Sequence, residues 1–82
     1  MVLVEIYVAA IDKNYDFRLD TTAAIGDVIE EICDVVNQKE DNEVKFDRDN
    51  LVLSVVSNEI VMNRSLTLND YNVISGMKLI LV

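Results

Sequence analysis

Ser65-Leu66-Thr67-Leu68-Asn69-Asp70-Tyr71-Asn72-Val73-Ile74-Ser75-Gly76-Met77-Lys78-Leu79 says more about the fold than any other part of the chain. Thr67 and Asp70 have the spacing at which a hydroxyl and a carboxyl cap one another's backbone around a single helical turn. Leu68 and Val73 are its inward apolar positions, and Gly76 suits a left-handed turn before the alternating residues that follow. A capped turn delivered into a strand is a scaffold device, so these residues speak to fold and say little about function.

Outward from it, the hydrophobic period changes along the chain. Leu79 and Leu81 alternate with Lys78, Ile80 and Val82 in a closing strand. At the other end, Val2, Val4, Ile6 and Val8 alternate with Leu3, Glu5 and Tyr7; Asp12-Lys13-Asn14 supplies a turn; Tyr15, Phe17 and Leu19 then alternate with Asp16, Arg18 and Asp20. The pair predicts a hairpin. Ile25, Val28, Ile29, Ile32, Val35 and Val36 follow helical spacing within about 120° of arc, with Asp27, Glu30, Glu31 and Asp34 opposite. That predicts one amphipathic helix lying on a sheet, its early acids favoured by the helix dipole and Thr21 or Thr22 as its N-cap. Residues 37–50 form a polar connection with room for a short turn or extra helix around Val44 and Phe46. Leu51, Leu53 and Val55 alternate with Val52, Ser54 and Val56 in a third strand, Ser57-Asn58-Glu59 turns the chain, and a short fourth strand covers residues 60–62. The order is ββαβββ, an α+β arrangement in one domain over residues 1–82.

A chain of 82 residues buries only about 60 to 65 per cent of its unfolded surface, so its core has to be dense. The composition fits a folded domain: 51% hydrophobic, 27% charged, no Pro and two Gly. Cys33 is the sole cysteine and there is no histidine, which leaves no internal disulfide and no zinc site, so packing alone must hold the fold. The opening residues carry no basic region before their apolar run, and no run approaches the length of a membrane span. The expectation is a cytoplasmic protein with no membrane insertion. The formal net charge is -8, and Lys13, Arg18, Lys39, Lys45, Arg48, Arg64 and Lys78 are scattered, so nucleic acid is not an expected partner. A basic partner surface fits this charge, and so does simple solubility.

Catalysis finds no support. Without histidine the usual base near neutral pH is missing, and Cys33, beside Asp34 and close to Glu30, reads as a small core residue whose thiolate is disfavoured. Asp47-Arg48-Asp49 begins like a calcium loop, but Leu51, Val52 and Asn58 fall where that loop needs an oxygen ligand, a glycine and a glutamate. The expectation is no enzyme, no catalytic or metal residue and no cofactor.

Thr67-Leu68-Asn69-Asp70-Tyr71-Asn72-Val73 resembles the Thr-Leu-Ser-Asp-Tyr-Asn-Ile segment of ubiquitin, with the same spacing to the final strand. The resemblance implies a ubiquitin-like β-grasp fold, a mixed sheet of order 2-1-5-3-4 with the helix on one face, in which Tyr71 packs and hydrogen-bonds nearby backbone. Ubiquitin and the sulfur carriers end in Gly-Gly; here the sequence stops at Leu81-Val82, which sets the expectation against conjugation. Among β-grasp proteins without that tail, the chain is similar to the bacterial YukD/EsaB group of WXG100 (type VII) protein secretion, through Asp70-Tyr71-Asn72-Val73-Ile74-Ser75-Gly76-Met77-Lys78-Leu79. That similarity implies a cytosolic accessory protein, acting by noncovalent protein binding, which contacts the secretion ATPase or a membrane subunit. The alternative class is a regulatory or structural ubiquitin-like subunit of a multicomponent enzyme.

With that strand order, the sheet face away from the helix collects Leu3, Tyr7, Val52, Val56, Ile80 and Val82. These form the expected protein-binding patch, with Val56 and Ile80 matching part of the surface ubiquitin presents to its binding domains. The competing explanations are β-propensity alone and a homodimer that covers the patch.

Overall fold

The computed structural model describes residues 1–41 and 43–82. Strand β1, Val2–Val8, pairs antiparallel with β2, Lys13–Leu19. The reversal comes earlier than the expected 12–14 turn. A 3-10 turn over Ala9–Ile11 ends on Asp12 in the left-handed region (φ 52), so Lys13 and Asn14 already belong to β2. The Tyr7 hydroxyl donates to the Asp12 carboxylate and ties this corner down.

Helix α1 runs Ile25–Lys39 and buries Ile25, Val28, Ile29, Ile32, Cys33 and Val36. Cys33 is sealed in the core and Val35 only half-buried, so the inward stripe is turned slightly from the predicted one. Neither threonine caps the helix: Ala24 is the N-cap and no side chain serves it. Thr22 instead directs its amide and hydroxyl to the Asp20 carboxylate, and hydrogen bonds from both hold that carboxyl below its ordinary range. The first helical amides are satisfied by backbone from a distant segment, Ile25 N–H to Leu66 O (2.7 Å) and Gly26 N–H to Arg64 O (2.9 Å). A tertiary contact replaces the local cap.

Strands β3, Leu53–Val55, and β4, Lys78–Leu81, complete a four-stranded sheet of order β2-β1-β4-β3, with β1 and β4 parallel and the other pairs antiparallel. The expected fourth strand is reduced to one bridge, Ser54 to Val61, flanked by Val55 N–H to Ile60 O (3.2 Å) and Met62 N–H to Leu53 O (2.9 Å). It lies on the outer side of β3, where the order 2-1-5-3-4 puts it. It stays short because Glu59, at φ 57, turns the chain just before it, and the Asn63 amide leaves the ladder for Tyr71 Oη (2.7 Å). That hydroxyl contact is the backbone hydrogen bond expected of Tyr71.

The stretch from Ser65 to Leu79 folds as its spacing predicts. The Thr67 amide donates to Asp70 Oδ2 (2.9 Å) and the Asp70 amide to Thr67 Oγ1 (3.2 Å), closing a reciprocal cap around the 3-10 turn Asn69–Tyr71. Gly76 sits at φ 94, which a side chain would strain. Its amide donates to Leu3 O (2.9 Å) and so hands the chain to β4 beside β1.

In the connection after α1, Asn42 lies outside the described residues, and the described residues on either side form no helix around Val44 and Phe46. Local polar contacts take its place: the Val44 amide donates to Asn37 Oδ1 (2.8 Å), and Arg48 Nη1 bridges Glu30 and Asp34, each at 2.8 Å. Phe46 and Leu51 pack against a core formed by the inner faces of sheet and helix, with Met62, Leu68 and Val73 closing its ends.

Candidate functional site

Strand parity sends alternate residues away from the helix, and the register fixes their neighbours. Across the outer face, Tyr7 stands opposite Ile80, Ile80 opposite Ser54, and Ser54 opposite Val61. Val52 and Val82 exchange backbone hydrogen bonds of 2.7 and 3.0 Å, so they meet at one end of the face. The Val56 amide donates to Lys78 O (3.1 Å), which sets Val56 diagonally beside Ile80.

Leu3 does not join this group. Glu5 lies between it and Tyr7 along β1, with Asp16 and Lys78 opposite on either side, so a charged row crosses the face and leaves Leu3 beyond it next to Arg18. Val56 and Val82 are about half exposed, at 50% and 47%, while Tyr7, Ile80 and Val52 are half-buried. Val61, 60% exposed, joins the apolar group and was missed in sequence; once Met62 is placed inward, parity alone puts Val61 outward.

Ile80 separates two shallow hollows. One, of about 270 Å³, is lined by Ser54, Val55, Val56, Glu59 and Ile80. The other, of about 370 Å³, is lined by Glu5, Tyr7, Asn14, Val56, Lys78, Leu79 and Ile80. Both are open recesses with an apolar ridge between them, shallower than the enclosed clefts that bury most of a small ligand.

Elsewhere the titratable groups serve structure. Glu40 accepts hydrogen bonds from the Tyr15 hydroxyl and from Lys13 Nζ (2.9 Å); these lower the Glu40 carboxyl, while the bond to Glu40 raises both Tyr15 and Lys13. Arg48 is raised by its bonds to Glu30 and Asp34. Burial pushes the Cys33 thiol up, partly opposed by the charge of Arg48. Among the described residues no group of three His, Cys, Asp or Glu side chains is placed to hold a metal ion, and no helix is long and apolar enough to cross a membrane.

A mixed sheet with one crossing helix, a capped 3-10 turn before the central parallel strand and a shallow apolar outer face define a ubiquitin-like domain. Over residues 3–81 the chain matches the family described as WXG100 protein secretion system (Wss), protein YukD, and it belongs to that family. No curated protein matches it in sequence. Among solved structures it resembles the EccD5 ubiquitin-like domain from Mycobacterium xenopi, with TM-score 0.79 and 24% identity over 99% of this chain and 91% of that one. It also resembles ATBAG1, solved in complex with HSP70, with TM-score 0.74 and 12% identity over 100% of this chain; it spans 40% of the ATBAG1 chain. A computationally designed protein based on human erythrocytic ubiquitin matches with TM-score 0.74 at 18% identity, covering 100% of this chain and 90% of that one. At these identities the likeness is one of fold. The chain is thus a ubiquitin-like module associated with WXG100-type secretion.

Proposed function

We infer that this module works by noncovalent binding of a protein component of the secretion apparatus, its ATPase or a membrane subunit, through the outer sheet face centred on Ile80. The observation that carries the reading is the ridge of Tyr7, Ile80 and Val56 between two open hollows, with Val61 beside it and Val52 and Val82 at its end. Apolar surface of this kind, rimmed by Glu5, Lys78 and Glu59, is what a recognition face presents. Leu3 belongs to its periphery. No catalysis goes with this role: the chain has no histidine, and its one thiol is sealed in the core and raised by burial. A cytoplasmic location belongs to the same reading.

The test is a titration of the isotope-labelled chain with purified soluble domains of that ATPase and of the membrane subunits, followed by NMR. Shift changes are expected at Tyr7, Val56 and Ile80. Val56→Asp with Ile80→Asp should weaken binding by orders of magnitude while circular dichroism stays native, because the partner would have to bury unpaired carboxylates. Asp27→Lys with Glu31→Lys is the helix-face control; Glu30 and Asp34 are unsuitable because they hold Arg48. Loss of binding in the control alone, with shift changes along α1, would put the site on the opposite face.

A further inference from the structure

The outer face ends at β2, and this edge carries a pattern the partner-binding face does not use. The Glu5 amide donates to Met77 O and Leu3 O accepts from Gly76, so the odd-numbered residues of β1 direct their backbone groups to β4. Its even-numbered residues therefore face β2, where Val4 meets Phe17 and Ile6 meets Tyr15. By the same alternation, Asn14, Asp16 and Arg18 of β2 turn their N–H and C=O groups outward. An open row of this kind is a template for another strand.

The side chains on that row say which strand fits. Asp16 and Arg18 are both exposed, and among the described residues neither makes an ion pair. Asp16 stands opposite Glu5 in its own sheet, a like-charge placement that is unfavourable. If a second β2 lies antiparallel along the edge about a two-fold axis at Phe17, Asp16 falls opposite Arg18 of the other copy, and Arg18 opposite its Asp16. Both pairs sit at positions whose backbone groups already point across the gap, and Phe17 meets its own counterpart on the inner side.

We propose that β2 is a self-association edge, at which two copies of this chain join antiparallel in the Asp16 to Arg18 register, so that their two four-stranded sheets become one continuous sheet. The two-fold axis stands perpendicular to the sheet, so the outer faces of both copies look the same way and the Ile80 ridges are left open. The inference stands apart from the proposed partner site, because it uses the edge and not the ridge. A single strand edge is a small interface, so the dimer is weak and depends on concentration. The net charge of -8 on each copy adds a repulsion that moderate salt screens.

Sedimentation velocity of the whole chain over a range of loading concentrations tests this, with circular dichroism as the check on folding. The wild type should move from monomer toward twice that mass as concentration rises. Asp16→Arg brings two arginines against each other at both ends of the register, and Arg18→Asp does the same with two aspartates. Each alone should weaken association by about tenfold or more. Mixing the two variants in equal amounts should restore it, since one copy then offers only arginines at these two positions and the other only aspartates, and opposite charges meet at both ends. A wild type that stays monomeric throughout, single variants that associate like wild type, or a mixture that fails to recover would each overturn the proposal. Loss of the dimer in Val56→Asp with Ile80→Asp alone would overturn it as well, and would move the contact to the ridge.

Discussion

The outer face of the sheet and the outer face of the helix are both exposed layers over one core, yet they solve exposure in opposite ways. On the sheet, Glu5, Asp16 and Lys78 form the charged row and Arg18 lies beyond it opposite Leu3, two acids against two bases in all, and Tyr7, Ile80, Val56 and Val61 stand on its other side as bare apolar surface. On the helix, Asp27, Glu30, Glu31 and Asp34 project together, and a hollow of about 660 Å³ there is lined by these acids and Asp20 together with Met1, Ala23, Val28, Val35 and Gln38. Only Arg48, reaching from the connection, answers them by ion pair among the described residues. A cluster of like charge therefore marks the helix side, where repulsion and solvation oppose close approach. The sheet side is left nearly neutral, with apolar surface exposed.

The largest effects should come from beneath the two faces. Ile32 lies on the inner side of α1 and Leu79 in the central parallel strand, both with no exposed surface, and Ile32→Ala or Leu79→Ala should each cost about 2 to 5 kcal/mol in chemical denaturation. Losses under about half a kcal/mol would mean that the inner sides have been misassigned, and with them both outer faces.

A smaller effect should sharpen the helix side. Arg48→Ala leaves Glu30 and Asp34 without their cation beside Asp27 and Glu31, so the denaturation midpoint should fall, by less than in either core variant. The deficit should shrink as salt rises, because screening relieves the exposed acids. A deficit independent of salt would mean that Arg48 acts through packing of the connection instead.

The smallest effect concerns pH, at the Lys13, Tyr15 and Glu40 contact between β2 and the end of α1. Glu40 is lowered on folding, so its contribution is present above the ordinary carboxylate range and is lost as pH falls through the lowered value. Tyr15 and Lys13 are raised, so theirs is present below their ordinary values and is lost as pH rises through the raised ones. Denaturation midpoints across pH should show Glu40→Gln flattening the acid side of the wild-type profile. An unchanged acid limb would show that the contact carries no linkage.

Much of this molecule was legible in its residues because the interactions that set its elements are local. The Thr67 and Asp70 cap, the left-handed Gly76, the alternation in β1, β2 and β4 and the helical stripe from Ile25 each involve neighbours within a turn or along one strand, and all are present. The outward direction of Val56 and Ile80 followed from parity in the same way, since a period of two leaves a strand residue only two faces.

What the residues did not show depends on groups far apart in the chain. Thr21 and Thr22 are residue types that cap helices, but the N-cap is Ala24 and the amides of Ile25 and Gly26 find carbonyls of Leu66 and Arg64, which only the folded chain brings there. Residues 60–62 have strand character, but the turn at Glu59 and the pull of the Tyr71 hydroxyl on the Asn63 amide cut the pairing to one bridge. Leu3 has the right parity for the patch, and the register then sets Glu5 and Lys78 between it and the rest. Which side of each element is buried could be read from the residues alone, because periodicity is a property of one segment. Which elements lie adjacent, and in what register, emerged only in the folded chain, because hydrogen bonds and charge rows between strands form across separations that no local pattern encodes.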